Sequence, residues 1–154
     1  MIENWIDTLC NVWGTITDDR FGLVKSYTLV QAGNDFPASI DPAKLSLQPI
    51  AITIPADDVP TYSLGTQEAF YTGTTQFHVC PDNSMGRMPE LTPWFGKIKR
   101  AAAAHIKLGG LVHDFVVERI EGPVELQYGN EAVHWGFMVY WRVKERNLGM
   151  TIGQ

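Results

Sequence analysis

From residue 2 to residue 16 the chain is apolar at a helical period. On a wheel of about 100° per residue, Ile2, Trp5, Ile6, Leu9, Cys10, Val12, Trp13 and Ile16 fall in one half, and Glu3, Asn4, Asp7, Asn11 and Thr15 in the other. That arc predicts an amphipathic helix docked on a core, closed by Asp18-Asp19 and Gly22. Leu23 to Val30 suits a strand. Gly33-Asn34-Asp35, Pro37, Asp41-Pro42 and Pro49 make most of 31–48 an ordered loop.

At Ile50 the period changes to two. Ile50, Ile52 and Ile54 predict a short strand ending at Pro55. Asp57, Asp58, Pro60 and Gly65 then make about 56–67 a protruding polar loop. A second strand follows from Ala69 to Cys80, with Tyr71, Thr75, Phe77 and Val79 on one face, closed by Pro81-Asp82-Asn83 and Gly86. Thr92-Pro93 predicts a helix start, Thr as N-cap and Pro at the first helical position. Leu91, Phe95, Ile98, Ala102 and Ile106 share its apolar face, flanked by Trp94 and His105, and Gly109-Gly110 stops it. Arg100 and Lys107 lie opposite, beside Ala103 and Ala104.

A strand over 111–120, a break at Gly122-Pro123 and a strand over 124–128 come next, with Gly129-Asn130 as a hairpin turn. In the last strand Val133, Trp135, Phe137, Val139, Trp141 and Val143 alternate with His134, Met138, Tyr140, Arg142 and Lys144. One face is thus buried and the other partly wet. Helix, loop, strand pair, helix, strand pair is an α+β order. It predicts a mostly antiparallel sheet with the two main helices packed on one side, within a single domain over 1–154.

Composition narrows the class. With 45% hydrophobic and 19% charged residues the chain can build a core. A net charge of −5 argues against a surface that coats nucleic acid. No apolar run approaches the ~20 residues of a spanning helix, and Glu3 and Asp7 stand where a signal peptide carries basic residues. Cys10 and Cys80 are too few for a disulfide scaffold, so the reading is a soluble protein of a reducing compartment. Charge divides unevenly, however. Residues 1–90 hold 4 basic and 11 acidic side chains, a net of −7, and residues 91–154 hold 8 and 6, a net of +2.

Candidate chemistry is thin. His78-Val79-Cys80 sets two metal-type donors on one strand face, and the other histidines stand at 105, 113 and 134. Zinc asks for three or four ligands, usually in close pairs, and none forms here. The plainer reading is a strand with polar residues on its alternate face. Cys80 with His78 is the sole adjacent thiol–imidazole pair, and there is no nucleophile elbow or phosphate-binding glycine loop. Asp57-Asp58 suits a cation or a general base on paper, and a solvated loop more simply. Lys97, Lys99, Arg100 and Lys107 cluster on the second helix. They read either as a solvated face or, because Ala103 and Ala104 leave little bulk, as a surface that a partner backbone approaches closely. A basic helix on one subunit meeting the acidic segment of the next would be a head-to-tail contact, which closes into a ring.

The order of elements carries a resemblance. An amphipathic first helix leads to a proline-flanked strand, Gln48-Pro49-Ile50-Ala51-Ile52-Thr53-Ile54-Pro55, and a polar excursion returns as the strand from Phe70 to Val79. A helix of interface-like composition and a closing strand unit with aromatic alternation from Trp135 to Val143 complete the pattern. From about residue 1 to 146 this resembles the tail-terminator proteins of long-tailed bacteriophages. The resemblance implies a structural virion protein without enzymatic activity or cofactor. Its subunits would form a six-membered ring that caps the tail tube and joins it to the head connector. The expected partners are further copies of the chain, the tail tube protein and a connector or neck protein, with no direct nucleic-acid recognition and no membrane. Asp57, Asp58, Lys97, Arg100, Ala103, Ala104 and Lys107 are the expected interface residues. Another neck or tail-completion protein is the nearest alternative. From a different class, the alternative is a small enzyme or ligand-binding domain using His78, Cys80 and His134.

Overall fold

The computed structural model describes residues 4–18, 22–28, 49–55, 61–62, 69–81, 91–128 and 132–145. The chain is α+β. Helix α1 (Ile6–Trp13) is followed by a small antiparallel pair, β1 (Thr17–Asp18) and β2 (Gly22–Leu23). The main sheet uses β3 (Lys25–Thr28), β4 (Ile50–Pro55), β6 (Ala69–Pro81), β7 (Val112–Tyr128) and β8 (Ala132–Glu145), in the order β3-β4-β6-β8-β7. The short β5 (Thr61–Tyr62) also pairs with β6. Helix α2 (Trp94–Ala104) and a 3-10 turn over Leu108–Gly110 lie between β6 and β7.

Of the expected arc of helix α1, Trp5, Leu9, Cys10, Val12, Trp13 and Ile16 are buried, Ile6 is partly buried, and Ile2 lies outside the described residues. The helix is shorter than the apolar period, because the chain tightens at Gly14. Gly14 N–H donates to Asn11 C=O, and the Thr15 hydroxyl donates to Val12 C=O at 2.6 Å, taking carbonyls that a further turn would use. The stop therefore falls before Asp18, which already belongs to β1.

The sheet is antiparallel except at one edge, where β3 runs parallel to β4. Register sorts its two faces. Ala51 opposes Phe77, which opposes Phe137, and these residues join α1 and α2 side chains in one core cluster with Tyr71, Val79, Phe115, Val139, Trp141 and Val143. Trp13 stands edge-on to Phe77 and Phe115 at 5.4 and 5.7 Å, and Trp5 edge-on to Tyr71 and Trp141 at 5.4 and 6.1 Å. Such pairs each add about 0.5–1.5 kcal/mol beyond the area they bury. Inside this core Trp141 Nε1 donates to Thr75 Oγ1 at 3.1 Å, and Thr75 shares a hydroxyl contact of 3.1 Å with Thr53. Paired in this way, the two buried threonines avoid the cost of an unmade hydrogen bond.

The apolar alternation of β4 lies elsewhere. Ile50 and Ile52 form a separate cluster with Tyr27 and Ile54, while Ala51 and Thr53 take the places in or beside the main core. Strand β7 is continuous from 112 to 128, and the expected break at Gly122-Pro123 is an irregularity in its pairing with β8 between Glu121 and Val124. At Gly136 a Cβ would collide with the Phe77 carbonyl, so this position of β8 admits only glycine.

The polar stretch 56–67 lies outside the described residues except for Thr61 and Tyr62, which pair with Phe70 and Ala69. The hairpin turn at Gly129-Asn130 and most of 31–48 lie outside them as well.

Candidate functional site

Helix α2 begins one residue later than the capping pattern predicts. Pro93 occupies the N-cap position, no side chain caps the end, and the carbonyls of Thr92 and Pro93 accept from the N–H groups of Phe95 and Lys97. The buried side is Trp94, Ile98, Ala101 and Ala102, with Phe95 partly buried. Ile106, expected on this side, is 47% exposed instead. The cause is local. His105 leaves helical geometry at φ −131°, and its Nδ1 donates back to Ala101 C=O at 2.8 Å. The helix ends at Ala104, and Leu108 supplies the buried anchor that Ile106 was expected to give. Gly109 at φ 69° then turns the chain into β7.

The expected interface residues on α2 border two different hollows, and Lys107 lies just beyond the helix. Arg100, Ala103, Ala104 and Lys107 are exposed, and Lys97 is half-buried. Lys97 Nζ donates to Thr17 C=O at 2.8 Å, which ties α2 to the β1 turn. Lys97, Arg100 and Ala104 border a hollow of about 320 Å³ on that side, with Thr15, Thr17 and His105. Ala103 lies on the other flank, in a groove of about 530 Å³ between α2 and β7. Phe95, Ala102, Ile106, Val117 and Ile120 line this groove, and Lys99 and Arg119 stand at it. Val116, also along it, is 38% exposed. Lys107 joins neither hollow. Asp57 and Asp58 lie outside the described residues.

Exposure of β7 was not readable from its own pattern. The groove exists because β7 is an edge strand of the main sheet, paired with β8 alone among the described residues, and α2 stops at Ala104. Neither fact is local to the strand.

Backbone pairing sets His78 opposite Gly136 and Cys80 opposite Trp135, with a register shift between them, and the Cys80 side chain lies outside those described. His78 is 1% exposed, and its Nε2 is 3.2 Å from Gln76 Oε1. Backbone pairing places His134 opposite Pro81 and Leu126. Among the described residues no three His, Cys, Asp or Glu side chains come together to hold a metal ion. Cys10 is buried in the core, and desolvation raises its thiol pKa above the ordinary 9.0 despite the Ser26 hydroxyl 3.1 Å from Sγ. It is held as a neutral thiol.

The sheet face opposite the aromatic cluster is charged, and its cations lie against aromatic rings and carboxylates. Arg119 stacks on Tyr140 at 4.2 Å and pairs with Glu121 at 3.0 Å, and Tyr140 donates to Glu121 at 3.4 Å. Arg142 and Lys144 stand over Phe70 at 5.7 and 5.8 Å. Charges occupied in this way offer little to a ligand. Among the described residues no helix is long and apolar enough to cross a membrane. No family model matches the chain, and no curated protein matches it significantly.

Proposed function

We propose that this protein is a structural assembly subunit of the tail-terminator kind. In this reading it forms a closed head-to-tail ring, expected to be six-membered, that caps a phage tail tube and joins it to the head connector. The observation that carries the reading is the open flank of α2, where Ala103, Ile106 and Val116 surround an apolar groove beside Lys99. Arg100 on the same helix and Lys107 just beyond its end add further basic charge and have no carboxylate partner among the described residues. A net charge of −7 over residues 1–90 supplies a complementary surface on the next subunit, with Asp57 and Asp58 as the first candidates. Both helices are read as packed on one side of the sheet, which leaves the open flank of α2 at the boundary between subunits. The element order described above supports the same reading.

The test is the native mass of the purified chain, alone and with tail tubes. A closed oligomer is expected. A strict monomer under both conditions, or stoichiometric zinc in the purified protein, would overturn the reading and favour the enzyme or ligand-binding alternative.

A further inference from the structure

The groove between α2 and β7 runs beside residues 115–120, about 20 Å of strand. Its lining is largely apolar, at Phe95, Ala102, Ile106, Val117 and Ile120, with Lys99, Glu118 and Arg119 at its border. The sequence beyond β8 holds a run that could cover such a strip: Leu148, Met150 and Ile152 alternate with Gly149, Thr151 and Gly153, and 147–153 carry no charge.

We propose that residues 147–153 of a second copy of this chain fill the groove, an assignment that rests on the ring reading above. Strand direction favours a second copy over the same one. Strand β8 ends at Glu145, opposite Val112, so the chain leaves the sheet heading past the start of β7. The groove lies behind that point, at 115–120. To reach its own groove the run must reverse across the sheet end where the turn over Leu108–Gly110 enters β7. A neighbour's run needs no reversal. The surface is then heterologous, groove on one copy and run on the next, as ring closure requires.

In a full-chain background with Cys10→Ala and Cys80→Ser, the variants Ala103→Cys and Met150→Cys test this by thiol oxidation with diamide. Mixed together they should give a cross-linked dimer, and the double variant should give a ladder up to the full ring on a non-reducing gel, while each single variant alone gives neither. In addition, Met150→Asp should raise the concentration of half-assembly at least tenfold with the far-UV spectrum unchanged. Only intramolecular cross-linking in the double variant would mean that each copy fills its own groove, and would overturn the exchange. An intact ring by native mass with no cross-link would overturn the groove assignment and leave the ring reading standing. A wild-type chain that is monomeric throughout would remove the ring reading first, and this assignment with it.

Discussion

The two flanks of α2 differ in how much apolar surface the chain itself covers. Toward β1 the hollow has a largely polar border tied to the fold, with Lys97 donating to the Thr17 carbonyl and Ile16 and Ala101 buried beneath. Toward β7, nothing comparable happens among the described residues. Phe95, Val117 and Ile120 are only partly buried there, and Ile106 stands in the open. Apolar surface left at the rim of a core costs stability in an isolated chain at roughly 25 cal/mol per Å². Its presence on one flank only is the physical reason to assign that flank to a partner.

The largest effects should come from the buried side. Trp94→Ala removes a fully buried indole that packs near Phe77 at 6.4 Å, and should cost about 3–5 kcal/mol in denaturant unfolding. On the open flank Ile106→Asp should change monomer stability by no more than about 0.5 kcal/mol and yet suppress assembly. If Ile106→Asp proves as destabilising as Trp94→Ala, the two flanks do not differ and the comparison fails.

Salt provides the second cut. Reversing Arg100 and Lys107 together to Glu should weaken assembly at low ionic strength and let it recover partly as salt screens the repulsion. Each exposed pair is worth only about 0.2–1 kcal/mol, but a ring repeats it at every boundary. Normal low-salt assembly of the double reversal would mark these two side chains as solvated.

A smaller effect sharpens the closed flank. Lys97→Met keeps the stem and removes the donor to Thr17, so it should cost about 0.5–1.5 kcal/mol by thermal or denaturant unfolding, with assembly unchanged. The smallest concerns Cys10. Its raised pKa means that above pH 9.0 the unfolded thiol loses its proton while the folded one keeps it. The unfolded state then binds fewer protons, so this residue's contribution to stability falls as pH rises through that range. Comparing the chain with its Cys10→Ala variant from pH 8 to 10 measures that contribution, and the native thiol should react slowly with a disulfide reagent.

Much of this molecule was legible in the pattern of its residues. The arc of α1 and the alternation of β8 name buried side chains correctly, from Trp5 to Ile16 and from Phe137 to Val143. Both patterns repeat many times within one element, so local periodicity and tertiary burial agree. The failures are places where a distant element decides. The strand over Ile50–Pro55 was found, but its isoleucines form a cluster apart from the helices because Ala51 and Thr53 oppose Phe77 and Thr75. The parallel partner β3 is joined to β4 through residues 29–49, and no local period announces such a pairing. The register shift between His78 and Cys80 belongs to their pairing with β8, and the alternation within β6 carries no sign of it. Of the candidate interface, exposure of Arg100, Ala103, Ala104 and Lys107 was legible. The groove was not, since it depends on β7 lying at the sheet edge and on His105 ending the helix early.

Native mass spectrometry of the wild-type chain beside its Ile106→Asp variant tests whether the open flank of α2 joins copies of this chain into a ring. A single closed oligomer, expected to be a hexamer, should form from the wild type, and a folded monomer from the variant. A wild-type monomer at every concentration, or a variant that assembles as the wild type does, would contradict that role for the flank.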